Sequence, residues 1–339
     1  MRLFQHPAVR WLMTILLLVL LGFQLWSRSN HFANLSLISF DKTFWWFTIV
    51  FFMMPINWLL ETFKWRTLLS IHIRIPFAHM VRAVVGGVAL SIFTPNRIGE
   101  YGGRIMFMPS NAKWPVAIST LIGSLAQNLV GFSAGIVACF FLFDGLLVFK
   151  IIGIVLILTG VLCFFNVRKV IKRISALNIH SVFKKLVLNL QYIDDYSYNI
   201  LFRVLAFALV RYLVYITQFV LILHAFEPGI SLNILVLGVS AIYLFQTLVP
   251  LPPIADVMAR ANIGLILWSG SGMSELSITL GSLMIWLVNL LIPAMIGSFA
   301  IGTTTPLISL DTHEPILPSD FLHVAPEQPD ITPTGHTTL

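Results

Sequence analysis

Apolar blocks long enough to cross a bilayer recur along this 339-residue sequence, separated by short polar loops, and that recurrence limits its fold more than any motif does. A helix of about 20 residues spans roughly 30 Å of hydrocarbon and satisfies its own backbone hydrogen bonds there. Composition points the same way: 58% of residues are hydrophobic and only 10% charged, too few charges to coat a soluble chain of this length. The pattern predicts an all-α polytopic membrane protein with about seven to eight transmembrane helices.

Charge placement orients them. Residues 1–302 carry all 21 Lys and Arg against nine acids, whereas 303–339 carry five acids and no Lys or Arg. The basic excess sits in loops between apolar blocks, which suits anionic lipid headgroups and not nucleic acid. Arg2 and Arg10 precede an apolar stretch over 11–26 that lacks a small-x-small cleavage site on its exit; it is read as a retained first helix starting in the cytoplasm. A second span is expected over 44–60, opened by the aromatic belt Phe44-Trp45-Trp46-Phe47 and ended by Glu61, Lys64 and Arg66, with Lys64-Trp65-Arg66 taken as an interfacial anchor and part of a binding site as its alternative. Further spans are expected over 113–143, 146–165, 200–224, 233–249 and 276–302. The loop 166–199 carries Arg168, Lys169, Lys172, Arg173, Lys184 and Lys185 with no acid before Asp194, so it belongs to the cytoplasm. The chain then divides into a membrane domain over 1–302, with halves 1–165 and 200–302, and an acidic Pro/Thr-rich tail over 303–339 expected to be disordered.

Two segments break this regularity. Val81–Phe93 is too short to span, contains Gly86-Gly87, and ends in Thr94-Pro95-Asn96-Arg97-Ile98-Gly99-Glu100, with Arg104 following. The stretch Pro250-Leu251-Pro252-Pro253-Ile254-Ala255-Asp256, with Arg260, repeats its logic: prolines, a small residue before an acid, then an arginine four positions on. Both read as proline/glycine-broken re-entrant elements in a two-fold internal repeat, with Pro95, Gly99, Pro252 and Pro253 at the breaks. An interfacial loop after a short span is the alternative for the first. Residues 81–110 must make no net crossing if the loop before them and the basic loop 166–199 share a side.

Arg97, Glu100, Arg104, Arg211, Asp256 and Arg260 are the candidate substrate-binding residues. Six unpaired charges in lipid would cost on the order of 15–20 kcal/mol, so they pair, line water or sit at the interface. Glu100/Arg104 and Asp256/Arg260 are spaced to pair on one helix turn. Arg211 has no acid nearby and needs Glu100, Asp256 or an anionic ligand. Snorkelling of Arg104 and Arg260 to headgroups, and a purely structural ion pair for Arg211, are the plainer readings. Cys139 and Cys163 are read as buried core residues, and His72 and His79 as surface residues. No P-loop, dinucleotide fingerprint, Ser/His/Asp grouping or metal-ligand spacing is present, so no cofactor, metal or catalytic residue is assigned.

The run Thr94-Pro95-Asn96-Arg97-Ile98-Gly99-Glu100 with Arg104 resembles the transmembrane domain of the lysylphosphatidylglycerol synthase/flippase family. Asn57 through Lys64-Trp65-Arg66 is similar to that family's polar, basic and tryptophan-bearing stretch before the same element. The chain departs from it at Ile254-Ala255-Asp256, where a glycine-rich stretch with a glutamate is usual. The resemblance implies a multi-pass inner-membrane protein acting on membrane lipids: a stand-alone flippase-like module without the aminoacyl-transferase domain, moving an anionic or phosphate-bearing amphiphile of the aminoacyl-phospholipid or polyprenyl-phosphate-linked type between leaflets. Two alternatives stay open, a membrane-embedded transferase with Glu100 or Asp256 as general base, and a non-transporting assembly partner.

Overall fold

The computed structural model describes residues 40–92, 94, 97–143, 145, 147–175, 191–248 and 253–303, with the isolated positions 15 and 19. Apart from those two positions, the expected span over 11–26 lies outside the described residues, as do Pro95, Pro252 and the tail from 304 onward. Every regular element described is helical: α1 (Phe40–Leu69), α2 (Phe77–Ser91), α3 (Gly99–Met106), α4 (Lys113–Leu142), α5 (Leu147–Phe165), α6 (Val167–Ser175), α7 (Gln191–Asp194), α8 (Tyr198–Phe226), α9 (Leu232–Leu248), α10 (Pro253–Leu267), α11 (Glu275–Trp286) and α12 (Ile292–Thr303).

Five stretches are long and apolar enough to cross a membrane: Phe44–Leu69, Lys113–Leu142, Leu147–Phe165, Tyr198–Phe226 and Glu275–Thr303. They point to a multi-pass membrane protein. Helix α5 makes the case most sharply, because its mean hydropathy reaches 2.7 while only 11% of that window is buried in protein. Apolar side chains displayed outward in such numbers fit a hydrocarbon surround and not water. The cysteines follow this outward packing: Cys163 on α5 is exposed and Cys139 on α4 half-buried, so neither is the core residue expected.

α1 packs along α8, α4 along α9, and α2 against both α3 and α12. The close approach of α2 and α3 is made by glycine. A Cβ on Gly99 would collide with the Leu90 carbonyl, and one on Gly103 would lie 2.5 Å from the Gly87 Cα. Because 99 pairs with 90 while 103 pairs with 87, the two helices run antiparallel as a hairpin. Gly99 and Gly103 are four apart and share one face, the small-xxx-small arrangement that lets helix backbones touch. On the other side of α2, Gly297 of α12 meets the backbone of Val85 in the same way.

Helices α11 and α12 form one run interrupted by a π-helical turn over Leu287–Leu291. Pro293 accounts for it. Proline has no N–H to offer the Asn289 carbonyl four residues back, and its ring would strike that oxygen in a regular helix. Widening the turn relieves the clash and places Asn289 in the bulge.

Apolar residues form two buried clusters. One gathers α4, α8, α9 and α11 around Ile122, Phe219, Ile242 and Ile285. The other gathers the second half of α1 with α2 and the α11–α12 run around Trp65, Val84, Trp286 and Ala294.

Candidate functional site

A half-open cavity of about 750 Å³ lies where the two clusters meet, with Ile118 and Ile285 from the first and Trp58, Trp286 and Leu290 from the second in its wall. Five of the six expected charged residues line it: Arg97, Glu100, Arg211, Asp256 and Arg260. The sixth, Arg104, is fully buried beside Glu100 and within hydrogen-bond reach of it. The two motifs, some 150 positions apart in sequence by their numbering, thus face one space.

The centre of the site is a residue the sequence reading treated only as a loop marker. Glu61 is 5% exposed and serves three cations at once. Its Oε1 accepts from Arg104 Nη2 at 2.7 Å, and its Oε2 from Arg211 Nη1 at 2.8 Å and Lys64 Nζ at 2.6 Å. Arg104 Nη2 also reaches Glu100 Oε1 at 2.5 Å, the local pair its spacing predicts. Arg104 lies over the Trp65 ring at 4.9 Å and Arg211 over Trp58 at 5.2 Å, so each guanidinium meets a π face as well as a carboxylate. Arg211 therefore finds neither Glu100 nor Asp256 but Glu61, with Asn57 Oδ1 accepting from its Nε at 2.7 Å.

On the opposite wall Arg260 Nη2 donates to Asp256 Oδ2 at 2.9 Å, and Gln246 Nε2 donates to the other carboxylate oxygen at 2.6 Å. Arg260 packs near the rings of Phe219 and Tyr215, and its Nε has no partner among the described residues. Neither Arg104 nor Arg260 snorkels, since both are buried. Pro253 opens α10, where a proline's missing N–H leaves no helix bond unmade. Gly99 opens α3, its amide donating to Thr94 Oγ1 at 2.8 Å.

A chain of amides extends the site inward. Asn57 Nδ2 donates to Asn289 Oδ1, Asn289 Nδ2 to Gln218 Oε1, and Gln218 Nε2 to the Val50 carbonyl, at 3.2, 2.9 and 3.0 Å. The π turn supplies Asn289 to this chain. Asn57, Glu61, Lys64, Gln246 and Asn289 line the cavity too, without having been named among its candidate residues from sequence. The available signals were Glu61 and Lys64 at i,i+3, and an asparagine four residues before a proline in an apolar run.

Lys64-Trp65-Arg66 is not the interfacial anchor expected. Lys64 and Trp65 are buried, Trp65 Nε1 donating to Ser119 Oγ at 2.9 Å, and only Arg66 faces outward. α1 continues to Leu69 instead of ending at 60, because Glu61 neutralises the cations that would otherwise demand water. His72 is also not a surface residue: its ring is 6% exposed, edge-on to Tyr192 and Tyr196, with Asp195 at 3.4 Å. His79 is half-buried, a ring nitrogen 3.0 Å from the Phe107 carbonyl.

Among the described residues no group of three His, Cys, Asp or Glu is placed to hold a metal ion. The arrangement offers guanidinium and ammonium donors with amide relays beside apolar residues such as Trp58, Trp286 and Leu290, which is chemistry for holding an anion. Compared with family models, with curated proteins and with solved structures, the chain matches none.

Proposed function

We propose that the protein moves an anionic or phosphate-bearing amphiphile between the leaflets of the bacterial inner membrane, as a relative of the lysylphosphatidylglycerol synthase/flippase transmembrane domain. One observation carries the reading: a half-open, arginine-rich cavity at the junction of helices apolar enough to face lipid. A lipid's headgroup would enter the polar space while its chains stay in hydrocarbon, so neither part is moved into a hostile solvent. Arginine suits the phosphate because its planar fork donates two hydrogen bonds at once.

The test is a leaflet-resolved assay of a phosphatidylglycerol reporter in liposomes holding the purified protein. Arg211→Gln leaves Glu61 paired with Lys64 and Arg104, so the fold is retained while a headgroup contact is lost. Translocation should fall by roughly 10-fold or more with Arg211→Gln and with Glu100→Gln, the scale of one charge-assisted hydrogen bond. Rates unchanged in both variants would remove the cavity from the transport path.

In this reading the hairpin α2–α3 and the helix α10 are the two re-entrant elements of a repeated architecture of seven to eight spans. At 1.5 Å per residue the 15 residues of α2 cover about 22 Å, short of the roughly 30 Å of hydrocarbon. A cysteine placed at Thr94, in a chain with Cys139 and Cys163 replaced by serine, should be unreachable by a charged maleimide from the side opposite residues 70–76. Labelling from that opposite side would mean that α2 crosses.

A further inference from the structure

We infer that the headgroup this cavity accepts carries two negative charges, as in a lipid phosphomonoester, and that Arg97 provides the second countercharge; the inference rests on the lipid-transport reading above. It follows from the formal charge the site holds. Lys64, Arg104 and Arg211 surround two carboxylates, Glu61 and Glu100, leaving one positive charge over. Asp256 and Arg260 cancel. Arg97 lines the same cavity and makes no ion pair or side-chain hydrogen bond with any described residue. The excess is two, and no other described acid lines the space.

Uncompensated charge in a half-open space whose walls mix tryptophan, leucine and isoleucine with neutral polar groups is costly, and an anionic ligand relieves it. Two further features fit an occupant. Arg260 Nε is buried without an acceptor among the described residues, a donor of the kind seldom left idle. Arg97 holds φ at +57°, the left-handed region that side chains other than glycine seldom adopt, in the loop joining α2 to α3. Such conformations persist where the surroundings impose them, and they gather at ligand sites.

The two charges separate candidate headgroups. A phosphodiester such as phosphatidylglycerol brings one negative charge and leaves one positive charge unmet. An aminoacyl ester of it adds an ammonium group and increases the imbalance. A doubly ionised phosphomonoester closes it.

The experiment is a titration of the purified protein in detergent, followed by the fluorescence of its tryptophans, two of which, Trp58 and Trp286, line the cavity. The ligands are dioctanoyl phosphatidic acid, dioctanoyl phosphatidylglycerol, its lysyl ester, and inorganic phosphate, at about pH 8, where a phosphomonoester is doubly ionised. Phosphatidic acid should bind roughly 10-fold or more tighter than phosphatidylglycerol, with the lysyl ester weakest. Arg97→Gln should bring the first two together, and Arg97→Lys should keep them apart. Equal binding of phosphatidic acid and phosphatidylglycerol, or a preference untouched by Arg97→Gln, overturns the inference. Inorganic phosphate binding as tightly as phosphatidic acid overturns the lipid as its source. Phosphatidylglycerol translocated without any preference for the monoester sinks this inference alone; a monoester preference without translocation of any of these lipids sinks the transport reading alone.

Discussion

Glu61→Gln should lower the stability of the folded protein by about 3–5 kcal/mol, the scale of removing one partner from a buried ion pair, and should abolish the lipid translocation proposed above. The size follows from how many groups depend on this one carboxylate. Arg104, Arg211 and Lys64 all approach within 2.8 Å of it, and Lys64 and Arg104 are almost wholly buried. Glutamine keeps the shape and still accepts hydrogen bonds but removes the charge, so three cations would be left facing Glu100 alone. Thermal unfolding in detergent, read by tryptophan fluorescence, checks the prediction. Its companion is the double variant Glu61→Gln/Lys64→Met, which removes one of the stranded cations and should recover part of the loss. Because the two residues touch, the double variant should be more stable than the sum of the single effects predicts. A melting temperature for Glu61→Gln equal to that of the parent would mean that the carboxylate does not hold the three helices together.

That Glu61 was missed while Glu100 and Asp256 were found has a physical cause. Glu100/Arg104 and Asp256/Arg260 pair within one helical turn, so spacing alone reveals them. Two of the three partners of Glu61, Arg104 and Arg211, lie 43 and 150 residues away in the chain, and only Lys64 is local. No local pattern encodes such a meeting. Hydropathy reasoning also assigns a run of charges to water by default, which ended the second span at residue 60 where α1 continues to Leu69. The same rule failed for Trp65, which is enclosed by packing and bonded to Ser119 instead of lying at an interface.

Helix positions were legible wherever the apolar run was long and its ends marked. The expected 113–143 is observed as Lys113–Leu142, 233–249 as Leu232–Leu248, and 276–302 as Glu275–Thr303. The loop 166–199 was read by charge alone, and charge does not reveal that Val167–Ser175 is helical. The π turn was likewise invisible, since Pro293 signals a disturbance but the packing around Asn289 decides its form. The cost of charge in lipid required the six residues to pair, line water or sit at the interface, and five of them line one cavity.

The glycines of α3 set up the other large effect. Gly103→Ala should destabilise the protein by about 1–3 kcal/mol, the range of overpacking, and reduce the proposed translocation more than its stability loss alone accounts for. The added Cβ would lie 2.5 Å from the Gly87 Cα and 2.9 Å from both the Gly86 carbonyl and the Gly87 nitrogen. Those are backbone atoms, so no rotamer change relieves the contact and α3 must move away from α2. Helix α3 carries Glu100 and Arg104, and a shift of even a few tenths of an ångström weakens bonds now set at 2.5 and 2.7 Å. Gly102 provides the internal control one residue away. A Cβ there meets nothing within 4 Å, and alanine is preferred to glycine inside a helix by roughly 0.5–1 kcal/mol. Gly102→Ala should therefore leave the melting temperature unchanged or raise it, with the proposed translocation intact. Unfolding and translocation measured side by side on the two variants decide the matter, because composition and helix propensity change identically in both. If both behave alike, the α2–α3 crossing does not hold Glu100 and Arg104 in register with Glu61.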